Sequence, residues 1–169
     1  MALKPLAVLA FDRVTEGRRY SPDFFITRLP VEIVTEIVQF IPQPDLANFA
    51  LVNWDCRQLA RSRQFSSVTF NYSDRAIGIV RILHKECLDR SAQDGQLSRP
   101  GIGPCIRRII VRTVKGAIIK IANPEKRAEH ATHTACMKQI LSVPSVLPHL
   151  ERINWFDRLT MDTVLFNGI

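Results

Sequence analysis

Residues 29 to 60 read LPVEIVTEIVQFIPQPDLANFALVNWDCRQLA, and this stretch limits the fold more than any other part of the chain. Pro30 can open a helix, because the first helical residue has no N–H bond to lose and the ring already holds a helical φ. Ile33, Ile37 and Ile41 then recur every four residues, Val34 and Val38 widen the stripe, and Glu32, Thr35, Glu36 and Gln39 take the opposite face. Pro42 ends that helix, and Pro44 and Asp45 make a turn in which Asp45 is placed to cap a second one. On the second helix Phe49, Val52, Cys56 and Leu59 form the stripe. Two helices this short carry more apolar face than either can bury on the other, so a further surface must cover the remainder.

Beyond these helices the chain alternates between β-rich and helix-rich segments. Residues 66 to 71 (SSVTFN) read as a strand with Val68 and Phe70 on one face. SDRAIGIVRILHKECL reads as a helix capped by Ser73 or Asp74, with Ile79, Ile82 and Leu83 along one side and Gly78 a weak point. A loop from about Ser91 to Pro104 leads to a strand in residues 105 to 114, then to a helix opened by Asn123 and Pro124, then to a third strand in residues 147 to 156. The strand centres lie about forty residues apart, the spacing of a strand-plus-helix repeat that buries its apolar face by stacking. The fold class expected is α+β, mainly α: N-terminal helices followed by irregular strand-helix units. Such an array needs a polar last unit, and the final DRLTMDTVLFNGI is either that cap or part of an array that runs further.

The net charge of +7 is concentrated between residues 99 and 127, where Arg99, Arg107, Arg108, Arg112, Lys115, Lys120, Lys126 and Arg127 face Glu125 alone. Residues 28 to 63 balance four arginines against four carboxylates. Arg107, Arg108, Arg112 and Lys115 are therefore candidates to meet an acidic partner, whether an acidic protein segment, a phosphorylated motif or nucleic acid. The patch lacks the aromatics that base stacking needs and comes with no nucleic-acid-binding motif, which argues against nucleic acid. Adjacent arginines on a strand also point to opposite faces, so a single basic surface is not expected.

Catalysis and cofactors find no support. No nucleophile and base sit at a telling spacing, and the glycines of RPGIGPC precede a strand, the reverse of a phosphate loop that opens a helix. The four cysteines at 56, 87, 105 and 136 fit neither a disulfide framework nor a closed zinc site, and suggest a reducing setting in cytoplasm or nucleus. His130, His133 and Cys136, with His84 and Cys87, are the nearest thing to a ligand cluster, and they lack the four-ligand spacing. No cofactor is expected. No apolar run approaches the roughly 20 residues of a membrane span, and MALKPLAVLAF, followed at once by Asp12, does not read as a signal peptide. Residues 1 to 27 are expected to be a flexible tail with TEGRRYSPD as linker.

Leu29-Pro30, Glu32-Ile33, Ile37, Leu46, Val52 and Leu59-Ala60 together resemble the F-box, in the order and spacing of that family. One position departs from it: Cys56 stands where a bulky aromatic is usual near the end of the second helix. Leu147-Pro148-His149-Leu150, followed by Ile153, looks like the opening of an irregular leucine-rich-repeat strand, and such units behind an F-box resemble the substrate-receptor half of many fungal F-box proteins. The resemblance implies an F-box in residues 28 to 65, a substrate-binding region in residues 66 to 169, and no catalysis of the chain's own. Leu29, Pro30, Ile33, Ile37, Leu46 and Val52 would contact a Skp-type adaptor, and through it a cullin–RING ubiquitin ligase. A basic scaffold or nucleic-acid-associated protein, with these helices as ordinary core, is the alternative.

Overall fold

A computed structural model describes residues 11–16, 28–92, 100–112 and 124–156. After a short helix α1 (Phe11–Val14) come α2 (Val31–Phe40), α3 (Asp45–Val52) and α4 (Trp54–Gln64). The second unit runs β1 (Ser67–Phe70), α5 (Asp74–Ala92), β2 (Arg108–Val111), α6 (Pro124–Ser142) and β3 (Arg152–Trp155), with 3-10 turns at Gly103–Cys105 and Pro144–Val146. This is the α+β arrangement expected, helices first and strand-helix alternation after.

The expected second helix is two helices. Asn53 is fully extended, with φ −161° and ψ −176°, and its side-chain oxygen accepts from the backbone N–H of Cys56 at 2.8 Å, so it caps α4 and ends α3. Asparagine competes well for that role, and the 3-4-3 apolar spacing concealed the break. Asp45 does not cap α3: it is the first helical residue, behind Pro44, and its own N–H donates to the Pro42 carbonyl at 3.0 Å. Pro30 sits one residue ahead of α2, where its carbonyl accepts from Ile33 and Val34. At the other end of α2 the Arg63 guanidinium donates to the carbonyls of Val38 (2.8 Å), which also accepts from the Ile41 N–H, and of Ile41, a cation at the carbonyl end of the helix that fastens α2 to α4.

The three strands form a parallel sheet in chain order, β1-β2-β3, with Val68 opposite Ile109 and Ile109 opposite Ile153. That register puts Val68, Phe70, Ile109 and Val111 on one face, where they pack with Ala76, Val80, Leu83 and Cys87 of α5 and Met137 and Ile140 of α6. Ser73 caps α5 as expected, its hydroxyl accepting from the Ala76 N–H at 3.3 Å. Ile82, assigned to the inner side from sequence, points outward, and Val80 and Leu83 take the buried positions.

Residues 11–16 are not the loose tail that composition suggested. Val14 is fully buried in a core with Val34, Val38, Leu46, Leu59, Ala60 and, from the second unit, Cys105. Gln58 of α4, itself buried, makes the junction: its amide donates to the carbonyls of Val14 at 2.8 Å and Gly101 at 2.9 Å. The Glu16 carboxylate pairs with Arg90 of α5 at 2.5 Å. From the other side the buried Glu86 carboxylate accepts from the N–H groups of Ile102 (2.7 Å) and Gly103 (3.0 Å). Burial pushes the Glu86 carboxyl above its ordinary range, against the opposing pull of those two N–H groups and of Arg90 and Arg61. Replacing Gln58 by leucine keeps the volume and orphans two buried carbonyls, which should destabilise the chain by about 1–3 kcal/mol. A urea midpoint equal to that of the parent would show that water serves those carbonyls equally well.

Candidate docking face

Helix α2 splits its own apolar stripe. Val34 and Val38 are 1% and 0% exposed and face the inner core, whereas Ile33 and Ile37, one position back on the helix, are 48% and 40% exposed. Leu29 precedes them by four residues, and the exposed Phe40 continues the row three residues beyond Ile37. A row of large apolar side chains in water on one helix, backed by a filled core, is the arrangement of a surface that expects a partner. Around the break at Asn53, Leu51, Val52 and Trp54 are also exposed, and the Arg57 guanidinium lies 5.0 Å from the centre of the Trp54 ring.

Of the six residues expected to touch an adaptor, Leu29, Pro30, Ile33, Ile37 and Val52 are exposed. Leu46 is the correction: at 3% exposure it packs among Val34, Val38 and Leu59 and is core, because the first turn of α3 aims it at α4. Phe40, Leu51 and Trp54 join the exposed row without having been expected there. Phe40 carried a signal, since it stands seven residues after Ile33 on the same stripe. Cys56, where the family has an aromatic, is buried, and burial first and the Asp55 charge second push its thiol up to about 11.

The basic candidates fare differently. Arg107 forms an ion pair with Glu151, its Nε donating at 2.7 Å, and Arg108 is only 5% exposed. Arg108 is thus buried in β2, and Arg107, just ahead of it, is engaged by Glu151 at the surface. Arg112 is exposed, and Lys115 lies outside the described residues.

Among the described residues the candidate ligand cluster does not assemble. His133 is buried with its ring centroid 5.4 Å from that of Tyr72 and 6.5 Å from that of Phe70. His84 shares a hydrogen bond with Gln139 at 2.9 Å, while Cys136 packs against the core of the second unit. The side chain of His130 lies outside the described residues. Burial raises the Cys87 thiol and takes that of Cys105 to about 12, so both stay protonated at neutral pH and are poor ligands or nucleophiles. Among the described residues no group of three or more His, Cys, Asp or Glu could hold a metal ion, and no helix is long and apolar enough to cross a membrane.

Comparison with protein families gives a match to the F-box domain over residues 26–67, about a quarter of the chain. It spans α2, α3, α4 and the start of β1. No curated protein and no solved structure matches.

Proposed function

We propose, from the F-box domain at residues 26–67, that this chain is a substrate-recruiting subunit of an SCF-type cullin–RING ubiquitin ligase. F-box domains in general are the adaptor-binding modules of such ligases, in which the F-box protein itself is not the catalyst. The observation that carries the reading is the division of α2 into a buried half, Val34 and Val38, and an exposed half, Ile33 and Ile37. A helix serving only its own core would have no reason to keep the second pair apolar. Bound through that row to a Skp-type adaptor, the chain would hold a protein substrate on the strand-helix unit of residues 66–169. Holding the substrate there raises the local concentration of its lysines at the ubiquitin-charged enzyme of the complex. On this reading residues 66–169 resemble irregular leucine-rich-repeat units, with Arg112 as the basic side chain left open to a substrate. The burial of Arg108 and the pairing of Arg107 with Glu151 count against the basic-scaffold alternative.

The direct test is binding to a recombinant Skp-type adaptor by the full chain and by Leu29→Ala/Pro30→Ala. Alanine keeps the carbonyl that receives the first N–H groups of α2, so the helix start survives. Each apolar anchor removed from the centre of an interface commonly costs on the order of 2 kcal/mol, roughly thirtyfold in affinity. Undiminished affinity in a folded double variant would exclude this face as the contact.

A further inference from the structure

We propose that the free edge of β1 is a docking site for an extended acidic peptide segment, which it would receive as a fourth strand of the sheet. Among the described residues β1 is an end strand, paired only with β2. In the parallel ladder Arg108 N–H donates to the Ser66 carbonyl and Arg112 N–H to the Phe70 carbonyl, so the groups of Ser66, Val68 and Phe70 face β2. By the alternation of a strand, the N–H and C=O of Ser67 and Thr69 then face away from the sheet. Among the described residues none of those four groups has a hydrogen-bond partner.

A groove of about 250 Å³ adjoins this edge, lined by Ser67, Val68 and Thr69 of the strand and by Arg75, Ala76 and Ile79 of α5. Arg75 is exposed and makes no ion pair among the described residues. The volume falls below the roughly 300–1,000 Å³ of small-molecule pockets. The edge itself, four residues at about 3.3 Å each, suits a short run of extended chain. Backbone donors and acceptors along a strand beside a shallow groove of mixed polar and apolar lining are what strand addition requires, main-chain bonds giving affinity and the groove taking alternate side chains. Charge selects the occupant: Arg75 at the groove favours an acidic segment, and the net charge of +7 disfavours a second copy of this basic chain. The site stands apart from the α2 row and does not depend on adaptor binding.

The test is amide hydrogen exchange on the full chain with a synthetic twelve-residue peptide of alternating valine and threonine flanked by aspartates, and with the same peptide flanked by lysines. The acidic peptide should slow exchange at Ser67 and Thr69 roughly tenfold or more, as expected when free amides enter a ladder, and the lysine peptide should not. Thr69→Pro removes one outward N–H where an edge strand tolerates proline, and should abolish the protection. Arg75→Glu, at an exposed position, should invert the preference between the two peptides. Equal protection by both peptides in the parent chain, or protection at β3 alone, would overturn the proposal. So would amides at Ser67 and Thr69 already protected without peptide in proportion to protein concentration, since a second copy would then hold the edge.

Discussion

The double change Ile33→Asp/Ile37→Asp should abolish adaptor binding while leaving the isolated chain folded. Both positions are about half exposed, so each carboxylate stays hydrated in the free protein, and surface substitutions of this kind move stability by about 0.5 kcal/mol or less. In a complex the same two groups would be taken out of water without partners, at several kcal/mol each, more than an interface of ordinary affinity has to give. The neighbouring pair supplies the contrast. Val34→Asp/Val38→Asp places the same charges one residue along, in the core with Leu46 and Leu59, and should unfold the N-terminal helices outright. Circular dichroism of the two double variants, alongside capture by immobilised adaptor, distinguishes the cases. Binding that survives in Ile33→Asp/Ile37→Asp would mean that the exposed half of α2 is not the contact.

Gly103→Ala should be the most damaging single methyl in the second unit. A Cβ there would lie 2.0 Å from the Val146 carbonyl oxygen and 3.1 Å from a Glu86 carboxylate oxygen. The first of these is backbone, so relief requires moving either the 3-10 turn at residues 103–105 or the one at 144–146. The hydrogen bonds from Ile102 and Gly103 to Glu86 would loosen with it. Overpacking commonly costs 1–3 kcal/mol, and with buried hydrogen bonds lost as well the expected loss is at least about 3 kcal/mol. Gly78→Ala is the matched control: nothing lies within 4 Å of a Cβ there, and alanine inside a helix should stabilise α5 by about 0.5–1 kcal/mol. Urea unfolding of both variants gives the comparison. Similar small shifts in the two would show that the Gly103 turn is free to move.

Much of this fold was legible because the informative patterns are local. Val68, Ile109 and Ile153 stand in register in three parallel strands, as β-branched runs at forty-residue intervals suggested. The α2 stripe was visible too. Its division into inner and outer halves was not, because a stripe that spans 33, 34, 37 and 38 does not say which edge meets α4. The same limit misplaced Leu46, whose burial depends on the start of α3. Asn53 was hidden by a spacing compatible with one continuous helix. Arg108 was read as surface because charge on a strand usually is. Gln58 gave no signal at all, since its partners at Val14 and Gly101 are 44 and 43 residues away.

That long reach of Gln58 has a bearing on how the chain is made. Synthesis runs from N- to C-terminus, and α2, α3 and α4 leave the ribosome before residue 105. Until then Cys105, part of the core around Val34 and Val38, and the Gly101 carbonyl that Gln58 binds are both still to come. At about 5–20 residues per second the wait from Gln64 to Cys105 is on the order of a few seconds, longer than helices and small domains commonly need to form. The nascent F-box therefore emerges with its outer apolar row complete and its inner core unsealed, and the segment that seals it belongs to the unit behind.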